Sequence, residues 1–534
     1  MVAMDNVLLF VPDGLDRKKS LSMSHLPVPA QDRNFLCVPG ASSLQELQEI
    51  TDLSRKSYES LRRIESNTSI TVPENFSFST LAIQVYKMRW AVLLLSLAAV
   101  ALTYMQWIQY SIVANIIMRY YRVSSLLVDW TSMVFMVTYT LLVIPVSFFM
   151  DIKRPRQAAV MGSVLLALGS WIKVFSLDRE MFLVSFLGQT VVAIAQVFIV
   201  SLPNRLATTW FSPEEASKVC GLGVFGAQLG TSLGFFLTPW LVQNDDKIEN
   251  IHQDLEIMYI SDAGLSTMIS VFTVAVFQSQ PEKPPSHIQA IQRSVRATNK
   301  GFWKSIWGIV RQRDFVILAI AYGMNVGVFN SMLTLLNQIV LNYFPDSEKD
   351  AGYIGVAIIV TGLVGSVVFG FVMDTWHEYR KTAVWVYGIT ALTVLVFSLS
   401  LESKSKKLLY VASILMGFFM SGLQTIGYEL AAELTYPEPD GPVAGIMNIS
   451  THIFGILFTI TISRIHDTMG DLAGNMAFTV LLVIGALIIA QIKSELKRHS
   501  AYKEVASAAA ELAQLEKQIV QEKAPFLIFK IDEH

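Results

Sequence analysis

Residues Trp90 to Met118 form an apolar run longer than the roughly 20 residues a bilayer-spanning helix needs. Midway along it sits a patch foreign to lipid: Tyr104, Gln106, Trp107, Gln109, Tyr110 and Ser111. A membrane helix with amides and an indole at its middle must turn them toward other protein or a water-filled cavity. Two readings stand. The patch is interhelical glue, worth about 1 kcal/mol per hydrogen-bonding Gln or Ser, or Trp107 and its polar neighbours line a substrate path.

Charged residues make up 16% of the 534-residue chain, against about a quarter in soluble domains, and they are segregated between windows of about 20 residues with almost none. The chain therefore reads as an all-α, polytopic membrane protein. A net charge of -2 gives no sign of nucleic-acid binding. Cys37 and Cys220 are too few for a disulfide framework or a thiolate metal site. The stretch Met1–Cys37 has no apolar core with a cleavage site, so no cleaved signal peptide is read.

Residues 1–88 read as a polar, disordered arm with a short charged helix at Asp52–Ile64. After the first helix, eleven further apolar windows fall near 130–150, 157–176, 181–204, 216–242, 259–278, 315–341, 351–373, 382–401, 408–431, 442–464 and 472–492. Twelve spans put both ends on one side. The connections after helices 2, 6, 8 and 12 are the basic ones, with Lys153, Arg154 and Arg156, a cluster from Lys283 to Arg313, Arg380 and Lys381, and Lys493, Lys497 and Arg498. Positive charge marks the cytoplasmic side, which predicts cytoplasmic termini and makes Asn67-Thr68-Ser69 and Asn75-Phe76-Ser77 chance glycosylation matches.

An internal repeat follows. Arg119-Tyr120-Tyr121 matches Asn342-Tyr343-Phe344, Asp151 with its basic cluster matches Asp374, and Pro213-Glu214 matches Pro437-Glu438, at offsets of 223, 223 and 224 residues. The expected architecture is two pseudo-symmetric six-helix halves, the major facilitator layout. It divides the chain into a cytosolic arm (1–88), an N-terminal half (89–280), a cytosolic linker (281–313), a C-terminal half (314–493) and a cytosolic tail (494–534). Asp151 with Arg154 and Asp374 with Arg380 resemble the loop motif of that superfamily, and are expected to lock a gate by cross-loop ion pairs. In the tail, Val505, Ala508, Leu512, Leu515 and Ile519 predict a short amphipathic helix.

No phosphate-binding loop, catalytic arrangement or metal spacing rises above background, so no enzyme, cofactor or metal is expected and transport near the midplane is. The polar residues inside helices are few: Gln196, Gln228 and Thr231, Asn325, Asn330 and Ser331, Gln424 and Glu429, Asn448 and His452. The repeat pairs Trp107 with Asn330, and Gln228 with His452. An indole face attracts an organic ammonium, worth about 2 kcal/mol when water is excluded. No midplane Asp or Glu stands out as a proton carrier, which favours facilitated passage down a gradient. For a monovalent cation the membrane potential supplies about 2.3 kcal/mol per 100 mV. Arg205 and Glu429, at pseudo-equivalent helix ends, are candidates for a gate pair or for plain packing. His452 is read as a hydrogen-bond donor to substrate or a satisfied core residue, with haem ligation the least favoured. Gly226, Gly230 and Gly234 give helix 5 a small face for close packing.

These residues resemble a known family. Gln106-Trp107-Ile108-Gln109-Tyr110-Ser111-Ile112 is similar to the helix 1 motif of the feline leukaemia virus subgroup C receptor-related (FLVCR) transporters of the major facilitator superfamily. So are Asp129-Trp130, Ala195-Gln196-Val197-Phe198-Ile199, Gln228-Leu229-Gly230-Thr231, Thr435-Tyr436-Pro437-Glu438 and Ile453 to Thr459; the similarity runs from about Arg89 to Arg498. It implies a facilitator of small organic cations or amino-alcohols such as choline and ethanolamine. In the family, a helix 1 tryptophan and a helix 7 tyrosine box the ammonium while a helix 4 glutamine holds the other end. Trp107 and Gln196 match these. Asn330, just after Phe329, stands at the tyrosine, His452 at a helix 11 glutamine and Ala227 at a helix 5 asparagine; Phe329 or Tyr322 is left to supply the second wall. The substrate-binding set is thus Trp107, Gln109, Gln196, Gln228, Phe329, Asn330 and His452, in a monomer at the plasma membrane. Two alternatives remain open: a haem exporter, and a transporter-shaped sensor or scaffold signalling through its arms.

Overall fold

The computed structural model describes residues 86–152, 155–278, 281, 302–376, 378–436, 438 and 440–493. Among them every regular element is a helix, and twelve are long and apolar enough to cross a membrane. They are α1 Met88–Ile112, α2 Ser125–Ile152, α3 Pro155–Val174, α4 Phe182–Val200, α5 Pro213–Leu241, α6 Ile248–Val276, α7 Arg313–Tyr343, α8 Glu348–Trp376, α9 Tyr379–Glu402, α10 Lys406–Thr435, α11 Asp440–Met469 and α12 Asp471–Ile489. The expected helices at Asp52–Ile64 and around Val505–Ile519, and the Asn67 and Asn75 motifs, lie outside the described residues.

The spans are the expected ones; most begin or end beyond their apolar windows, while α3, α4, α5, α6 and α12 stop a few residues short at their C-terminal ends. The sixth was expected from 259 and begins at Ile248, because hydropathy sees only the lipid-embedded length while the helix continues through Glu249, Asp254 and Glu256. The first was expected to run unbroken to Met118. Instead α1 stops at Val113 (φ −120°, ψ 33°) and resumes as a short helix, Ala114–Tyr121, which ends on left-handed Arg122. The break leaves the Ile112 carbonyl to accept a hydrogen bond from Asn337 Nδ2 at 2.7 Å, a side chain taking the place of a rung in the helical ladder. Past α4 the chain continues as the short helix Leu202–Trp210, with Pro203 in its first turn, which has no N–H to continue the ladder of α4. A further short helix, Phe302–Val310, lies within the expected linker ahead of α7.

Each half packs by one plan. α1 lies on α5, α3 on α4 and α6, and α2 on α4; correspondingly α7 lies on α11, α9 on α10 and α12, and α8 on α10. Between the halves, α5 meets α8, α2 meets α11 and α1 meets α7. Close approach depends on small residues: a Cβ at Gly230 of α5 would overlap the Ala101 carbonyl of α1, and one at Gly417 of α10 the Ile358 carbonyl of α8. Leu94, Leu141, Leu183, Phe371 and Leu487 remain exposed on the periphery, as an acyl-chain solvent requires.

The repeat also explains the arginines of the short loops. Arg156 at the head of α3 donates to the Val274 carbonyl in the last turn of α6 at 3.2 Å. Arg380, 224 positions later, donates to the Ala490 carbonyl just past α12 at 2.8 Å. Each places a cation at the negative end of its own half's last helix. Arg380 therefore binds within its half rather than across the loop as a gate lock, a correction to the ion-pair expectation. Arg154 and the side chains of Asp151 and Asp374 lie outside the described residues.

Candidate functional site

At 100° per residue, the polar patch of α1 divides into two faces. Tyr104, Trp107 and Ser111 share one; Gln106, Gln109 and Tyr110 lie on the other side of the axis. The second face is buried in the core of the N-terminal half. Gln106 Oε1 accepts from Lys173 Nζ (2.8 Å), the Gln106 carbonyl from Gln189 Nε2 (2.7 Å), and Gln109 Nε2 donates to Asp262 Oδ1 at 3.2 Å. Lys173 and Asp262 are 0% and 2% exposed, and face each other at 3.6 Å. Tyr110 Oη joins Ser185 (2.5 Å) and Tyr259 (2.9 Å) in the same network. Gln109 is thus the glue of the first reading, and the structure removes it from the substrate-facing set.

The first face looks toward the junction of the halves. Trp107, 7% exposed, meets Tyr104 edge-on at 6.1 Å, and its carbonyl accepts from Ser132 of α2 at 3.0 Å. The Tyr104 hydroxyl lies within electrostatic range of those of Tyr139 on α2 and Tyr428 on α10. Tyr139 stacks on His452 of α11 (4.6 Å, 14°), while Tyr322 of α7 meets Tyr428 edge-on at 5.2 Å. Asn448 links the cluster: it accepts from the Tyr428 hydroxyl at 2.7 Å and donates to the Tyr139 oxygen at 3.3 Å. His452 Nδ1 pairs with the Asn448 carbonyl at 2.6 Å. Six aromatic rings from five helices and both halves thus converge around amide and hydroxyl groups.

The faces of α7 place its residues. Asn330 and Asn337 are two turns apart on one side, and Asn337 binds α1, so Asn330 looks toward the half that carries Trp107. Phe329 lies about 100° around the helix from Asn330, on the stripe of Tyr322 and Asn325, which touch Tyr428 and the Met420 carbonyl of α10. Phe329 is buried, 5% exposed, and Tyr322 is the α7 aromatic that meets Tyr428 of the cluster. Gln196 on α4 is 6% exposed, and Gln228 on α5 is partly exposed. None of the hydrogen bonds among the described residues uses the side chains of Gln196, Gln228 or Asn330. Arg205 in Leu202–Trp210 and Glu429 on α10 are both partly buried toward the face that carries the bundle's two chain ends.

On the opposite face the halves are tied together. Glu348 Oε1 of α8 accepts from Asn115 Nδ2 (2.8 Å) and Asn244 Nδ2 (3.0 Å). Asp129 of α2, fully buried, accepts from Gln338 Nε2 of α7 at 2.8 Å and Ser463 Oγ of α11 at 3.5 Å. Asn244 precedes Asp245, whose carboxylate is held below the usual range by the Lys247 N–H and the Asn250 amide. Contacts between the halves thus run from this face to the Asn448–Tyr139 pair.

Asp129, Asp262 and Glu433 are buried carboxylates that the sequence did not single out, all at most 4% exposed. Sequence reading missed Lys173 and Asp262 because each falls near the edge of an apolar window, where a charge passes for an interfacial flank. It also missed Tyr139 and Tyr428, since tyrosine scores as an ordinary apolar position. The 3.6-residue spacing of Gln106, Gln109 and Tyr110 was the available signal for the split patch.

This architecture defines a secondary transporter. Residues 95–459 match the family described as Major Facilitator Superfamily, and the chain belongs to it. Solved structures agree on the fold: a D-xylose–proton symporter superposes with TM-score 0.62 at 11% identity, covering 76% of this chain and 98% of the symporter. A bacterial homologue of the human lysosomal transporter Spinster, inward-facing and unoccupied, superposes at 0.57 with 13% identity, covering 76% and 97%. Within the superfamily the chain belongs to the FLVCR family. It is 38% identical over 443 residues to the choline/ethanolamine transporter flvcr2b of Danio rerio, 83% of this chain and 91% of the relative. It is 37% identical over 432 residues to the choline/ethanolamine transporter FLVCR2 of Homo sapiens (81% of each), and 38% over 396 residues to FLVCR1 of Felis catus (74% and 71%).

Proposed function

We propose that the chain carries a small organic ammonium or amino-alcohol of the choline and ethanolamine class down its electrochemical gradient by alternating access. The observation that carries this reading is the convergence of Trp107, Tyr104, Tyr139, Tyr322, Tyr428 and His452 where the halves meet. The aromatic faces are suited to an alkylammonium, at about 2 kcal/mol for a desolvated ring. Asn448, Gln196 and Asn330 offer amides to the substrate's hydroxyl end. Transport of choline and ethanolamine by the relatives named above supports the same class. The buried charges lie outside the ring cluster, Asp262 against Lys173 and Asp129 in the seam, which leaves the cation attracted by π faces rather than by a fixed counter-ion.

Both termini and the linker lie on the cytoplasmic side in this reading, supported by the basic loops, and the plasma membrane is the site of action. The tied face is then extracellular. Substrate would reach the cluster from outside only after the Asp129 and Glu348 contacts part, and from the cytoplasm while they hold.

The test is uptake of labelled choline and ethanolamine by cells expressing the wild type or Trp107→Ala. Loss of one desolvated cation–π contact of about 2 kcal/mol weakens apparent affinity by about 30-fold. Saturable uptake with that loss supports the site; uptake indifferent to Trp107→Ala sinks it. Full flux after deleting residues 1–85 separates a carrier from a sensor acting through its arms.

A further inference from the structure

We propose that Lys173 and Asp262 are positioning residues for the substrate site: they set the rotation of α1 and so decide where Trp107 points. The proposal rests on reading the Tyr104–Trp107 face of α1 as a substrate wall. Lys is almost never fully buried unless paired, and here the pair is wholly inside the N-terminal half. It grips α1 at two points one turn apart. Lys173 on α3 holds Gln106 at 2.8 Å and Asp262 on α6 holds Gln109 at 3.2 Å, both on the side of α1 away from Trp107. Gln189 of α4 takes the Gln106 carbonyl and Ser132 of α2 takes the next one, that of Trp107. Four neighbouring helices therefore fix α1 about its own axis at the residue that faces the junction.

The C-terminal half shows that the fold does not need this network. The offset of 223 residues that relates α1 to α7 carries Gln106 to Phe329 and Gln109 to Met332. The offset of 224 linking Arg156 to Arg380 carries Lys173 to Phe397, and that of 216 linking Val274 to Ala490 carries Asp262 to Phe478. All four counterparts are apolar and at most 5% exposed. Where the C-terminal half fills this space with apolar bulk, the N-terminal half keeps an ion pair whose members are hydrogen-bonded to Gln106 and Gln109. Apolar attraction is non-directional, whereas bonds to two amides on α1 hold only over a narrow range of angles.

The test uses the full chain with Cys37 and Cys220 replaced by Ser, so that Trp107→Cys reports the exposure of that face to a small thiol reagent in permeabilised membranes. Lys173→Met with Asp262→Leu removes both charges while keeping volume; Gln106→Met cuts the tie to α1 and leaves the ion pair whole. In either variant the labelling of Trp107→Cys is expected to change at least about fivefold. With Trp107 retained, KM for choline is expected to rise about tenfold with maximal rate altered less than about twofold, as a misplaced contact group would give. Wild-type labelling and KM in both variants overturn the proposal. Should the double variant fail to reach the membrane, Gln106→Met decides alone. Labelling needs no substrate, so a wild type that moves neither choline nor ethanolamine refutes the functional reading while the labelling still judges the positioning.

Discussion

Asp129 is the contact through which the tied face can be loosened in a graded way. It is fully buried, and both of its donors, Gln338 and Ser463, belong to the other half, so Asp129→Ala charges its whole loss to the state in which that face is closed. A hydrogen bond to a carboxylate is worth about 1.5–3 kcal/mol. Taking the 2.8 Å bond from Gln338 in full and the 3.5 Å contact from Ser463 as a minor addition gives about 2 kcal/mol, or a shift of about 30-fold in the ratio of closed to open. Asp129→Asn keeps an oxygen for Gln338 and should shift it by less than about fivefold. The assay is the labelling rate of Trp107→Cys, in the chain lacking Cys37 and Cys220, by a membrane-impermeant thiol reagent added outside intact cells. The rate should rise in the order wild type, Asp129→Asn, Asp129→Ala. Equal rates in all three, with protein present at the surface, would refute the assignment of Asp129 to an interhalf tie.

Two other outcomes follow from the packing. Gly230→Val puts a branched side chain into the Ala101 carbonyl and should sharply reduce the amount of folded protein in detergent, whereas Gly221→Ala, with open space around it, should be neutral by the same size-exclusion readout. Arg156→Ala and Arg380→Ala each remove a cation from a helix C-terminus, at a cost of about 0.3–1 kcal/mol for an exposed site. Each should lower the thermal midpoint slightly and leave KM for substrate unchanged; a large rise in KM would restore the gate-lock role.

The sequence made the helix count and the doubled architecture readable, because apolar windows and landmarks at one offset survive without knowledge of contacts. It also set Trp107 and Asn330 on facing helices. What it hid were features that depend on which neighbour a residue meets. A row of polar residues in α1 reads alike whether it faces ligand or protein, and only the positions of Lys173, Gln189 and Asp262 divide it. The break at Val113 carries no proline or glycine to announce it; its visible partner is Asn337, 224 positions away. The ring cluster draws Tyr139 and Tyr428 from windows that were ordinary in themselves.

The unequal cores also bear on how such a carrier can change its cargo. Trp107 and Gln196, which the sequence resemblance aligns with the family's substrate-holding residues, stand in the half whose interior is bolted by the lysine–aspartate network, whereas Asn330 and His452, which that resemblance sets apart from it, stand in the half packed with Phe329, Phe397 and Phe478. An apolar interior repacks around volume-conserving exchanges at small cost, whereas a bonded one loses directed contacts. The molecule resembles a vice with one fixed jaw and one adjustable jaw, and new substrates would be fitted by reshaping the second.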